Sequence, residues 1–169
     1  MSPFFSRKQV PNNKLQPTMR HSAVSRYHGF WGRMSAEFNV RPLMALPTTA
    51  KFIAATEAEI GFALPGWLSD RLLRANGGTV EVAGEYWELF SVFDTTDRKH
   101  IARSTTNIPR ETASAREWVG FPHSAVAIAC NGGGDYLILL PESQSRLYSS
   151  AYRWRHDTDE PPVPVEVSA

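Results

Sequence analysis

A chain of 169 residues, 42% apolar and 21% charged, can build one sizeable core and is too short for two domains of ordinary size. Its 18 basic and 17 acidic side chains leave a formal charge of +1, without the basic excess on which a dedicated nucleic-acid binder depends. The single cysteine, Cys130, excludes a disulfide within the chain and a multi-cysteine metal centre, and no apolar run reaches the roughly 18 residues of a membrane-spanning helix.

The near-neutral total hides a division. Residues 1–50 carry seven basic side chains and one acid, Glu37, whereas residues 51–169 carry 11 basic and 16 acidic groups, a net of −5. Residues 1–46 show neither a helical nor an alternating period. Three readings of them stay open: a disordered basic arm, an Arg- and Ser-rich targeting segment, or a start of translation further along, at Met34 or Met44. No apolar stretch follows the early charges, as a secretory signal would require.

Order is expected from residue 47. Thr48 or Thr49 can cap a helix with Phe52, Ile53 and Ile60 on one side and Glu57 and Glu59 toward water, stopped by Gly61. Pro65 suits the first turn of a second helix, in which Leu64, Leu68, Leu72 and Ala75 form one apolar stripe and Asn76-Gly77-Gly78 supplies a left-handed end. The period then shortens to two. Residues 79–83 and 85–90 read as a hairpin turning at Gly84, and the polar stretch 94–106 reads as a loop. Pro109 opens a short helix through Trp118. The apolar runs 125–130 and 136–140, joined by Asn131-Gly-Gly-Gly-Asp135, read as two central strands, and residues 147–154 as one more. The tail 161–169 is expected to be extended, because its prolines forbid helix and central strand. The order implies an α+β fold, a mostly antiparallel or mixed sheet covered by helices.

The chemistry is sparse. A phosphate loop needs a helix directly after its glycines, whereas a strand pattern follows Asp135. His156, Asp157, Asp159 and Glu160 offer metal-ligand atoms, but no partner motif accompanies them and a solvated acidic turn is the commoner meaning. Cys130 ends an apolar strand and reads as a packing residue. The five histidines stand far apart, and no catalytic, metal or cofactor residue is assigned. Trp67, Trp87, Trp118 and Trp154 fall inside expected elements, where packing is the default; one left exposed would point to an interface.

Glu59-Ile-Gly-Phe-Ala-Leu-Pro65, Leu72-Leu-Arg-Ala-Asn-Gly-Gly78, Leu89-Phe90, Ile108-Pro109, Trp118-Val-Gly-Phe-Pro122, Val126-Ala-Ile-Ala129, Asn131-Gly-Gly-Gly-Asp-Tyr-Leu137 and Trp154-x-His156 occur in the order seen in the SUKH superfamily. The ordered part, residues 47–160, therefore resembles a SUKH domain. Many members continue into a final helix, which the short piece Val163-Pro-Val-Glu-Val167 is expected either to replace or to truncate. The resemblance implies a non-catalytic, cytoplasmic, protein-binding role: an immunity protein that neutralises a cognate toxin, often a nuclease, or a regulator of the fungal cell-wall assembly type with an endogenous partner. An acidic face suits a basic toxin. The candidate contacts on expected turns and edges are Glu85, Glu88, Asp94, Asp97, Asp135, Asp157, Asp159 and Glu160, with no cofactor, no direct nucleic acid and no membrane expected.

Overall fold

The computed structural model describes residues 45–167. The expected arm, with Trp31, lies outside them except for Ala45 and Leu46. Helix α1 spans Ala50–Ile60, with Ile53 buried and Phe52 and Ile60 packed on the core. It stops where expected, at Gly61 with φ +79°, a left-handed value that glycine adopts without strain. Two details differ. Thr49 occupies the cap position without a side-chain bond, and the hydroxyl of Thr48, the other candidate, donates to Asp94 at 2.7 Å. Glu57 does not simply face water. Its carboxylate accepts the Leu64 N–H at 2.8 Å, tying α1 to the segment that leads into the next helix.

Helix α2, Gly66–Arg74, starts after Pro65 and buries Leu68 and Leu72 completely. Its end departs from the expected left-handed cap. Ala75 is extended at φ −155°, and Asn76 serves another purpose. The buried Asn76 amide donates to Val92 O and accepts from Val92 N, both at 2.8 Å, so it supplies the chain leaving the hairpin with a side-chain substitute for a sheet neighbour. Gly77 next to it needs to be glycine twice over: φ is +100°, and a Cβ would lie 3.2 Å from Leu89 O.

Strands β1, Gly78–Val82, and β2, Glu85–Leu89, pair antiparallel with Val80, Val82, Trp87 and Leu89 on the buried face and Thr79, Glu81, Tyr86 and Glu88 on the open one. The two-residue turn puts Ala83 at φ +52° and Gly84 at φ +81°. Both values belong to the primed turn that a twisted hairpin favours, and alanine bears a steric cost there that asparagine largely avoids. Ala83→Asn is therefore expected to stabilise the protein by roughly 0.5–1 kcal/mol, read as a raised midpoint in thermal unfolding.

Residues 94–106 are not wholly a loop. Helix α3, Arg98–Arg103, forms within them because Asp97 caps it, accepting from Lys99 N at 2.7 Å and His100 N at 2.9 Å. That Asp-x-x-His start was hidden by the absence of an apolar stripe; no residue of α3 is buried. Helix α4 runs Ile108–Ala115, capped by Asn107, and ends before Trp118 in turns that lead to Gly120. Strands β3, Val126–Cys130, and β4, Tyr136–Leu139, occupy the middle of the sheet as expected, with α4 lying on β3. The Thr112 hydroxyl accepts the Ala127 N–H at 3.0 Å beside a shift in the β3–β4 register. Strand β5 is shorter than expected, Ala151–Trp154, and the proline-bearing tail supplies an edge strand, β6, Val163–Val165.

Among the described residues the six strands follow one another in space in chain order, every neighbouring pair antiparallel, giving the expected α+β fold. The sheet curls. Arg153 on β5 reaches Glu85 and the Trp87 ring on β2 although β3 and β4 stand between them.

Candidate partner-binding site

Period-two alternation places Glu85 on the same face as Trp87, Asp135 on that of Leu137, and Arg153 opposite Leu137 in the register. These three polar side chains thus meet at one end of the curled sheet. The β3–β4 turn delivers Asp135. Asn131 Oδ1 accepts from Gly133 N at 2.9 Å and from Asp135 N at 3.3 Å, folding the glycine run back on itself. This is the expected hairpin turn, and β4 follows it directly.

Asp135 is only 7% exposed. One carboxylate oxygen accepts from Arg153 Nη2 at 2.8 Å and Nε at 3.3 Å, and the other faces His156 Nδ1 at 3.1 Å. Arg153 also pairs with Glu85 at 3.2 Å and lies over the Trp87 ring at 5.4 Å. Burial pulls the Asp135 pKa up, but the bonds from Arg153 and His156 outweigh it and hold the carboxyl below its ordinary value. The same Asp135 carboxylate raises Arg153.

His156 sits in a fitted slot. Trp118 stands edge-on to its ring at 5.4 Å, and the missing side chain of Gly134 leaves room for it: a Cβ there would come within 2.9 Å of Nδ1. Beside it, residues 118–121 make a tight turn. Phe121 N donates to Trp118 O at 3.2 Å, and Gly120 takes φ +83°. Phe121 anchors the turn in the core, edge-on to Trp154 at 5.1 Å, and Trp154 Nε1 donates to Gly120 O at 3.2 Å. Trp118, 44% exposed, and Val119, 96% exposed, project from this pinned tip.

The eight acids expected to face a partner separate into groups. Glu85, Asp135, Asp157, Asp159 and Glu160 belong to the strand ends and turns around Arg153 and His156, where Arg155 pairs with Asp157 at 3.7 Å and Glu160 at 4.0 Å. Glu88 lies on the open face of the β1–β2 hairpin, opposite Cys130. Asp94 and Asp97 are elsewhere and are structural. Asp94 is 1% exposed and binds Thr48 and the Thr96 N–H; it has no surface to offer a partner. Asp97 caps α3, and the His100 N–H with its neighbours lowers its pKa to about 2. Asp135 too is mostly covered, so its contribution is to hold Arg153 and His156 in place.

Asp135, His156 and Asp157 bring ligand atoms within 4.8 Å of one another. Both Asp135 oxygens already have partners, and one partner is the Arg153 guanidinium, whose charge opposes a cation. The geometry is that of an ion-pair network, and a metal does not fit it. Burial pushes the Cys130 thiol up, away from the thiolate a nucleophile needs. A groove of about 270 Å³ between residues 63–66 and 142–149 shares no residue with this cluster. Sequence reading missed Arg153 and expected Trp118 to pack inside a helix, whereas Trp118 stands exposed on the turn with Val119. The available signal was an arginine inside an aromatic strand and a Trp-Val pair followed by a turn glycine.

No curated protein and no solved structure matches the chain significantly. The family model described as SMI1 / KNR4 family (SUKH-1) matches residues 47–167, which takes in the four helices and six strands of the described residues. With that match over most of its length, the chain belongs to the SMI1/KNR4 (SUKH-1) family.

Proposed function

We propose that this protein is a non-catalytic, cytoplasmic immunity protein that binds a cognate bacterial toxin and blocks it by occupying its surface. The observation that carries the reading is the acidic surplus of residues 51–169, five charges, together with the exposed carboxylates of Glu85, Glu88, Asp157, Asp159 and Glu160. A nuclease must present a basic cleft to its substrate, and an acidic, folded surface is steered toward that cleft and competes with the phosphate backbone there. Membership of the family supports a binding role and is equally compatible with a regulator of the cell-wall assembly type. The acidic surplus tilts the choice toward toxin neutralisation.

Co-expression of the full chain with the protein encoded immediately upstream tests this. Restored growth with a complex that survives purification is the expected result. A neighbour that is harmless alone, or that kills in spite of the chain, overturns the pairing and transfers the reading to the regulatory alternative.

A further inference from the structure

An exposed tryptophan is costly to leave in water, and the Trp118–Val119 tip is built to hold one there. The turn is closed by Phe121 N–H to Trp118 O, anchored by the buried Phe121, and tied through Gly120 O to Trp154. Trp118 is supported on one side by the His156 ring, which is itself fixed by Asp135 and seated against Gly134. Little conformational freedom remains to be lost on binding, which is the property that makes a protruding aromatic an effective anchor.

The surroundings specify the partner's charge. Residues 116–117 and 155–160 set four carboxylates, Glu117, Asp157, Asp159 and Glu160, against two guanidiniums. Arg155 is engaged by Asp157 and Glu160, and Arg116 points to Ala125 O at 3.5 Å. A cation arriving over the Trp118 face meets the negative side of the indole ring and an excess of carboxylates. An anionic partner such as a phosphate backbone meets the same excess as repulsion.

We infer that the Trp118–Val119 tip, with His156 behind it and the exposed acids Asp157, Asp159 and Glu160 following His156 in the chain, is the docking surface for a lysine- or arginine-bearing segment of a partner protein. This deepens the immunity reading by naming where the basic toxin seats. It also separates the tip from the other acidic area, the Glu81–Tyr86–Glu88 face of the β1–β2 hairpin, where Tyr86 is 72% exposed but no anchored apolar tip accompanies it.

The test titrates the isotope-labelled full chain with an oligolysine peptide and follows backbone amides, indole N–H groups and histidine rings by NMR. Shifts are expected to centre on Trp118, Val119 and His156. Val119→Lys, which adds a like charge at a side chain 96% exposed, is expected to weaken binding about twofold or more. Trp118→Ala, which removes the aromatic face, is expected to weaken it about fivefold, the worth of one exposed cation–π contact, with Tyr86→Ser as the unchanged control. Absence of binding, shifts centred on Glu81, Tyr86 and Glu88, or a Val119→Lys variant that binds as wild type would each overturn the assignment. The two readings fail separately. If the full chain neutralises its neighbour and Val119→Lys does so with the same affinity, the surface is wrong and the immunity reading stands. If oligolysine maps to the tip and the chain fails to protect, the surface stands and the immunity reading falls.

Discussion

Asn76→Ala is expected to destabilise the protein by about 3 kcal/mol, because it orphans the buried N–H and C=O of Val92 together, each worth roughly 1–3 kcal/mol when left unsatisfied. Val92 is completely buried, so water cannot replace the amide without entering the core. The same residue receives no help from the backbone of α2, which has ended at Arg74. The damage should extend along the chain leaving β2, where Phe90 N bonds to Ile128 O and Ser91 to Thr106 and Ile108. Urea unfolding followed by tryptophan fluorescence would show a lower midpoint with an unchanged slope. A loss below about 1 kcal/mol would mean that the two bonds at Val92 are not limiting.

Asp135→Asn carries the second large effect. It leaves the Arg153 guanidinium with Glu85 alone and removes the charge that fixes His156, and removing one partner from such a mostly covered network is expected to cost about 2 kcal/mol at neutral pH. The pH dependence has a definite sign. Because the folded pKa of Asp135 lies below its ordinary value, its contribution is complete above about pH 4, the unfolded carboxyl range, and drains away as the pH falls through the depressed folded value. The stability gap between wild type and Asp135→Asn should therefore narrow in acid. A gap of constant size from neutral to strongly acidic pH would show that the charge of Asp135 contributes nothing.

Much of the fold could be read from periodicity. The Leu64–Leu68–Leu72 stripe, the alternation through residues 79–89 and the two apolar runs around the glycine turn each announce their element, because each buries the face that the pattern predicts. What stayed hidden depends on side chains that act at a distance in sequence. Thr48 abandons a cap for Asp94, 46 positions away, and Glu57 bends to a backbone N–H seven positions on. Helix α3 has a cap and no buried face, so a search for apolar spacing passes over it. The candidate site was half legible. Acids near 157–160 could be read as exposed, but Asp94 and Asp135 look no different in sequence, and their burial follows from Thr48, Arg153 and His156 arriving from other elements. Arg153 was invisible as an organiser because its role arises from the curl that brings β5 over β2.

Strands that neighbour one another in chain order have a consequence for how the molecule assembles. Four of the five strand pairings join segments separated by short connections, so β1 with β2, and β3 through β6, form as local zippers with little loop entropy to overcome. The exception is β2 with β3, which must close across residues 90–125 and then shares the register pairs Glu88–Cys130 and Leu89–Ala129, extended by the Phe90 N–H to Ile128 O bond. The seam between β2 and β3 is thus the strand pairing with the largest loop-closure cost, and helix α4, close to β3 in sequence and packed on it, spans part of the connection that has to close.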